Sequence, residues 1–522
     1  MLSAGRALIK FIKNLNEYDE FQQVLVLCGG GNNGGDGFAL AGLLAASGKP
    51  TTIVLVPNSQ QASDASKAAA TFAKDQAVTF TPFTEFLNAK EHSDPALSTL
   101  YVDGIYGIGL NRTLDESSCK AIDKLNELRR AAQRSRVLAI DIPSGLDAKT
   151  GAAHGPIVHA DYTLSFFAPK VGALTGAGPD HCGVQSICPL VDEKDTISHP
   201  QQHLQFPPSA HLVLGEDLNA IAGSIWRRKL SAHKGTHGTG LLVAGGPNMA
   251  GAAVLSGLGA LHAGIGKLLI SAHQNSEPTV SCSLPEAICH GIDSAAAFEN
   301  VLGAHIKSLA AIAIGPGLSM SAWGQQIFQR LCALISSETD RERHQPIAII
   351  IDACGLSLLA NTTKAIRSKL SHRHTLVLTP HPKEAAHLLD KTVSCVQADR
   401  IGNAQELAEK FNALVVLKGV GSVVAVSKQT PLIIGAGSPA LSVAGSGDVL
   451  TGLLLAILSQ SSSLSLQQSG DKAELQHVVA SAVILHALAG ERLANTGRLI
   501  GARANEISQV VRELIHEYRL YA

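Results

Sequence analysis

Short apolar runs without polar alternation recur along this chain, separated by longer stretches of helical periodicity. In the first two hundred residues the runs fall at 24–28, 52–56, 99–103, 137–141 and 162–167, with helical stretches at 38–46, 62–73 and 115–133. Strands that are apolar on both faces and spaced by helices predict a parallel sheet covered on both sides. Leu8, Ile9, Phe11, Ile12 and Leu15 recur at helical spacing and predict a first helix, although Arg6, Lys10 and Lys13, with no acid before Glu17, would also suit a targeting peptide. Residues 197–209 lose the periodicity and carry Pro200, Pro207 and Pro208. The alternation then restarts, with strands at 241–244, 267–271, 310–314, 348–352, 376–379, 414–417 and 423–426, and helices at 250–262, 323–336, 383–389, 404–411 and 448–458. The pattern predicts domains at 1–197 and 210–522 joined by a linker at 198–209. Residues 459–473, rich in Ser and Gln, predict a mobile surface loop.

A chain of 522 residues exceeds one ordinary core, in line with two domains. The 42 basic and 43 acidic side chains nearly balance and form no basic stripe, which argues against a nucleic-acid partner. The nine cysteines are scattered with no Cys-x-x-Cys pair, so reduced thiols and a cytoplasmic location are expected rather than a disulfide framework or a zinc site. No uninterrupted apolar stretch approaches the ~20 residues of a membrane span, so no membrane partner is expected.

Two glycine-rich turns change the picture. The first, residues 29–37, reads GGGNNGGDG directly after an apolar run; the second, residues 444–448, reads AGSGD directly before one. Each pattern suits a loop feeding a helix N-terminus, where unpaired N–H groups and the helix dipole favour phosphate. Gly29, Gly31 and Gly34 fit the G-x-G-x-x-G spacing, but the second strand ends without an acid, and no Lys-Ser/Thr follows as a Walker loop requires. Asp103 and Asp141 both end apolar strands, which places them on the rim where open parallel sheets bind ligands. In the second half Gly445, Ser446 and Gly447 can form an anion hole, and Asp448 in the first helical turn is a candidate base for an attacking hydroxyl. The alternative for each feature is an ordinary turn, cap or first-turn acid. The turns after Leu417, Thr379 and Ile314 face the same rim, and the 21 histidines show no metal spacing.

The motifs GGGNNGGDG, VDGIYGIGL and DIPSGLDAKTG resemble the epimerase domain of bifunctional NAD(P)H-hydrate repair enzymes over residues 1–195. The motifs KGTHGTGLLVAGG, GPGLS, TPHPKEA, LKGVGS and AGSGDVLTG resemble, in the same order, the dehydratase domain of that family from about residue 212 onward. The resemblance implies an α/β architecture: a Rossmann-like three-layer αβα domain followed by a ribokinase-like αβα domain. It implies that Asn32, Asn33, Gly34, Gly35 and Asp36, with Gly107, Ile108, Gly109, Leu110, Asn111, Arg112 and Thr113, hold the damaged dinucleotide. Asn33, Asp103 and Ser144 would bind K+, and Asp141 would contact the substrate and act as acid or base. In the second domain Lys418, Gly419, Val420, Gly421, Ser422 and Gly447 would hold the adenine nucleotide. Ala252, Gly317, His381 and Asp448 would face the hydrated dinucleotide. The implied reaction interconverts the R and S hydrates, then dehydrates the S form with ADP and Mg2+, releasing AMP and phosphate. A homo-oligomer is the expected assembly. The chain departs from the family pattern at Cys354, Ala444 and Ser438. A small-alcohol or vitamin kinase with a binding module at its N-terminus is the alternative reading of the same motifs.

Overall fold

The computed structural model describes residues 1–57, 62–76, 78–89, 98–190, 207–218, 220, 225–335, 346–462 and 471–520. They divide into two compact units, Met1–Pro207 and Pro208–Ala522. Most of the expected linker lies outside the described residues.

Unit 1 holds seven strands: β1 (Gln23–Cys28), β2 (Thr51–Leu55), β3 (Thr79–Thr81), β4 (Thr99–Gly104), β5 (Arg136–Ile140), β6 (Tyr162–Phe166) and β7 (Val184–Cys188). All pair in parallel, in the order β3-β2-β1-β4-β5-β6-β7. This is the doubly wound Rossmann order, and its direction of winding reverses between β1 and β4. Loops leaving those two strands diverge to opposite faces and leave a crevice between them. The first helix, Leu2–Lys13, buries Leu8 and Ile12 in the core that also receives the helix Asn32–Ala46.

Unit 2 holds β8 (His211–Val213), β9 (Thr239–Val243), β10 (Lys267–His273), β11 (Ile288–Ile292), β12 (Ala311–Ile314), β13 (Ala348–Ile351), β14 (Thr375–Leu378), β15 (Leu414–Leu417), β16 (Val423–Ala425) and β17 (Leu432–Ile434). The sheet order is β11-β10-β9-β12-β13-β14-β15-β16-β17-β8. Only β16 runs against its neighbours. The switch point lies between β9 and β12.

Several expectations need correction. The helix expected at 38–46 begins at Asn32, so the first glycine motif is a three-residue exit from β1 followed by the opening turns of the helix. Apolar periodicity could not find that start, because glycine and asparagine carry no apolar signal. The residues 459–473 are not one loop: Ser459–Ser462 continue the helix Ser446–Ser462, and the helix Lys472–Leu493 begins near the other end, with residues 463–470 outside the described set. Buried Ser459 and Ser461 keep the helix going where composition suggested a break. The edge strands β3, β7, β8 and β11, the short inner strand β17 and the helices Lys472–Leu493 and Ala504–Leu520 were not anticipated. The helix Lys472–Leu493 is apolar all round because the core surrounds it: 78% of the most apolar window in this segment is buried.

In unit 2 the helices Ala250–His262 and Ser446–Ser462 run side by side in the same direction. Gly445 meets Leu255 at one end, and Gln460 Nε2 donates to Ala263 O, 3.1 Å away, at the other. Their backbones touch through glycines. A Cβ on Gly452 would lie 1.8 Å from Ser256 O, and one on Gly259 would lie 2.4 Å from Val449 O. Gly452→Ala is therefore predicted to destabilise unit 2 by about 3 kcal/mol in chemical denaturation. Gly303→Ala, in the helix Ala295–His305 with open space around its Cβ, is predicted to be neutral or stabilising by up to about 1 kcal/mol.

Candidate functional site

In unit 1 the rim of the crevice is built from the ends of β1, β4, β5 and β6. Gly31 caps the helix Asn32–Ala46 in an extended conformation, and Asn33 reaches across to the loop after β4, its Nδ2 donating to Tyr106 O at 2.9 Å. Gly34 is required by close approach: a Cβ there would lie 2.0 Å from Gly29 O. Asp103 is wholly buried. Its carboxylate accepts from Ser144 Oγ at 2.6 Å, Ser144 N at 2.7 Å and Ile105 N at 3.2 Å. Burial pushes the Asp103 carboxyl up to about 6 even though these donors pull it down. Among the described residues it has no cationic partner.

Asp141 follows β5 in the left-handed region (φ 69°), which aspartate tolerates better than most side chains. Its carboxylate pairs with Lys170, the residue four past the end of β6, and accepts from Phe166 N at 3.0 Å. Lys170 also donates to Phe166 O at 2.7 Å, which fixes its ammonium on the rim. The sequence reading missed Lys170; its signal was a lysine just after a strand end, in Ala168-Pro169-Lys170. Asp36 stands in the second turn of the helix after β1. Burial pushes it up to about 7, the Met1 ammonium 4.0 Å away opposes that rise, and Asp141 adds to it.

The structure thus brings Asn33, Asp103 and Ser144 into one knot, with Asp36 and Asp141 as neighbours. Asn32 lies outside it, exposed, with Oδ1 accepting from Ser63 Oγ at 2.6 Å. Gly107 packs against Asn33, where a Cβ would come within 3.0 Å of Oδ1. In the following loop Ile108 is 61% exposed and Asn111, Arg112 and Thr113 face solvent, whereas the Leu110 side chain is core and leaves only its backbone for a ligand. A cleft of about 290 Å³, lined by Gly29, Gly30, Val56, Pro57, Ser66 and Lys67 among others, extends from the glycine exit toward β2.

In unit 2 the ends of β13, β14 and β15 and the start of the helix Ser446–Ser462 meet at Asp352. This residue is 1% exposed and accepts from Lys418 Nζ at 2.8 Å, Thr379 Oγ1 at 2.7 Å and Thr451 Oγ1 at 2.8 Å. Burial alone would raise its carboxyl, but Lys418 and the hydroxyls hold it below the usual range. For Lys418, burial is outweighed by the charges of Asp352, Glu384 and Asp448, and its ammonium is held above its ordinary value. Removing one partner of such a pair costs about 3–5 kcal/mol. Gly447 lies over the pair, its Cβ position 3.4 Å from Lys418 Nζ and 3.9 Å from Asp352 Oδ2.

Asp448 is half-buried in the first turn of this helix. Burial pushes its carboxyl up to about 7, with Asp352 adding and Lys418 opposing. Beneath the turn, buried His486 sets Nε2 3.0 Å from Ser446 O, and burial depresses its imidazole to about 4, so it stays neutral. Neither Asp352 nor His486 was singled out from sequence. Asp352 ended a recognised strand, but His486 lies 40 residues beyond the motif it supports.

The remaining candidates surround this centre. Gly317 (φ 60°) abuts Ala252, with a Cβ position 2.9 Å from the alanine's own. His381 caps the helix Pro382–Leu389: Nδ1 accepts from Lys383 N and Glu384 N, each at 3.2 Å, and Nε2 faces Glu384. Gly419 (φ 134°) and Gly421 (φ 59°) shape the turn between β15 and β16, closed by Ser422 Oγ donating to Gly419 O at 2.9 Å; Val420 at its tip is exposed. Among the described residues no three His, Cys, Asp or Glu side chains converge as a protein-built metal cage would need.

Asp352→Asn removes the charge that repels Asp448 and leaves Lys418 beside it. The Asp448 carboxyl, followed by carbon-detected NMR, is predicted to titrate near pH 7 in the unaltered protein and at lower pH in the variant.

Two family models match the chain: NAD(P)H-hydrate dehydratase over residues 240–513 and YjeF-related protein N-terminus over residues 1–172. A bifunctional NAD(P)H-hydrate repair enzyme from Coxiella burnetii is 30% identical over 99% of this chain and 94% of its own length. One from Thermanaerovibrio acidaminovorans is 32% identical over 97% and 92%. A solved ADP/ATP-dependent NAD(P)H-hydrate dehydratase from Bacillus subtilis, co-crystallised with ATP and Mg2+, is 28% identical over 59% of this chain and 99% of its own, with a TM-score of 0.49. With a family model covering more than half of the chain and full-length relatives on both sides of the linker, the chain belongs to the bifunctional NAD(P)H-hydrate repair enzymes.

Proposed function

We propose that unit 1 interconverts the R and S hydrates of NADH and NADPH, and that unit 2 dehydrates the S form at the expense of ADP. One observation carries the reading: in each unit a glycine-headed helix N-terminus lies beside carboxyl groups held on the rim, Asp141 paired with Lys170 and next to Asp36 in unit 1, and Asp448 in unit 2, with burial pushing Asp36 and Asp448 up to about 7. Anion binding and proton transfer are thereby available together at both sites.

In unit 1 the pyrophosphate of the dinucleotide lies at the N-terminus of the helix Asn32–Ala46, and the hydrated ring lies over Asp141. Lys170 pairs with Asp141 and aims its carboxylate, so that Asp141 can take and return the proton that ring opening and closure at C6 require. The oxygen set of Asn33, Asp103 and Ser144 fits K+: it is hard, uncharged but for Asp103, and Asp103 carries a buried charge with no cation partner. When bound, the ion offsets that charge and part of the phosphate's.

In unit 2 Asp448 takes the proton of the C6 hydroxyl as its oxygen bonds to the terminal phosphorus of ADP. The bond between that phosphorus and the bridging oxygen breaks, and AMP leaves. The ring nitrogen then expels the phosphate ester as C5 loses a proton, which restores the dihydronicotinamide. Gly447 and Lys418 face the phosphoryl group, and the turn Lys418–Ser422 takes the nucleotide. Mg2+ fits as an ion borne by the diphosphate, because the chain offers carboxylates there but no cage of its own; when bound it neutralises the charge of the diphosphate. Ala252, Gly317 and His381 line the side of the hydrate.

The test is purified protein with mixed R and S NADH hydrate, K+, Mg2+ and ADP or ATP. Full return of reduced nicotinamide with free phosphate is expected; a stable phosphoester would mean a kinase instead. Asp448→Asn is predicted to lower dehydration by about 10²–10⁴-fold while epimerisation continues. Because a base must be ionised, the dehydration rate should rise with pH through about 7 and then level off.

Potassium has a separate readout. Asp103 is pushed up to about 6, against about 3.9 in an unfolded chain, so the folded unit holds a proton between these values that the unfolded chain releases. Without a cation, stability falls as pH rises through that window. K+ is predicted to raise the melting temperature of unit 1 above pH 7 and to have little effect below pH 5, relative to choline at equal ionic strength. Asp103→Asn should abolish the difference.

A further inference from the structure

Arg400 opens the helix Arg400–Phe411 and is 1% exposed, the largest fully buried side chain among the described residues. Charged groups at such depth are normally paired. Arg400 has no carboxylate partner among the described residues. Nη1 donates to Gln397 Oε1 at 2.7 Å, Nη2 donates to Leu417 O at 3.0 Å and Lys418 O at 3.2 Å, and Nε has no acceptor. Burial is the one influence on its proton affinity and lowers it to about 10, which leaves the guanidinium charged at neutral pH.

The cation lies directly under the turn that carries Gly419. A Cβ on Gly419 would sit 3.1 Å from both Nη1 and Nη2, so the glycine rests on the guanidinium and a larger residue would press on it from a strained backbone (φ 134°). Above it the N–H groups of Val420 and Gly421 donate to nothing within the described residues, and Val420 is 56% exposed. A turn with free N–H donors over an uncompensated buried cation is an anion seat. The two carbonyls that Arg400 holds belong to the residues leading into that turn, including Lys418, whose side chain reaches Asp352.

We infer that Arg400 is a positioning residue for the nucleotide site: its unpaired charge and its grip on the Leu417 and Lys418 carbonyls prepare the turn Lys418–Ser422 to receive a phosphate group, which supplies the missing counter-charge. This rests on the reading of unit 2 as a nucleotide-dependent enzyme and goes beyond it by assigning a residue that never touches solvent.

The test compares Arg400→Met with the unaltered full-length protein, measuring KM and kcat for ADP, calorimetric binding of AMP and adenosine, and melting without nucleotide. Expected for the variant is a KM for ADP raised about tenfold or more at a kcat within about threefold, with AMP weakened in parallel and adenosine little affected. Melting without nucleotide should stay within a few degrees, since an apolar replacement removes an unpaid desolvation cost. An unchanged KM, a loss confined to kcat, or equal weakening of AMP and adenosine would overturn the inference. If the methionine variant does not fold, Arg400→Lys decides: it keeps the charge and should hold ADP within about threefold, whereas a tenfold loss would show that charge is not what matters. Absence of adenine-nucleotide binding by the unaltered protein would instead remove the reading of unit 2 itself.

Discussion

A carboxylate without water, set at the carboxyl end of a parallel strand, is the condition on which both units are organised. Asp103 in unit 1 and Asp352 in unit 2 occupy that position, and neither can stay ionised there without donors brought from elsewhere in the chain. The donors define the rims. In unit 1 the turn after β5 supplies the hydroxyl and N–H of Ser144; in unit 2 two threonines and Lys418 arrive from three separate elements. Satisfying one buried charge fixes the separation of the loops that a ligand would span.

The two solutions differ in what remains unsatisfied. Asp352 has a full cationic partner, and the proton affinity that is displaced toward neutrality is that of its neighbour Asp448. Asp103 has hydrogen bonds but, among the described residues, no cation, so its own affinity is displaced, and it is the group that a mobile ion would relieve. One fold principle, ligands at the switch point of an open sheet, therefore yields a site closed by its own lysine and another whose buried carboxylate is held by hydrogen-bond donors alone.

Much of this was legible in the sequence because strand-end residues announce themselves. Apolar runs locate the longer strands to within a residue or two, and whatever follows a parallel strand lies on the rim; Asp103, Asp141, Gly317 and Lys418 were reachable that way, and Asp448 through the glycine turn that opens its helix. Glycine motifs mark where backbones must approach closely, but not why: Gly34 serves the contact with Gly29, and Gly419 makes room for Arg400. What stayed hidden was support from a distance. Lys170, His486 and Arg400 act on the rim from the next strand end, a later helix and a helix start, and nothing in local spacing ties them to their partners. Leu110 shows the converse, a residue inside a motif whose side chain serves the core. The helix Lys472–Leu493 was missed because a segment surrounded by core has no polar face to reveal its period.

The glycine-to-backbone contact between the helices Ala250–His262 and Ser446–Ser462 has a consequence for how unit 2 can move. Both helices point their N-termini at the same rim, one near Ala252 and the other at Gly447 and Asp448. With Gly452 against Ser256 and Gly259 against Val449, no side chain lies between them to act as a bearing. Backbone pressed on backbone leaves the pair no room to slide or close up, so the wall at Ala252 and the tip at Asp448 are held at a fixed separation.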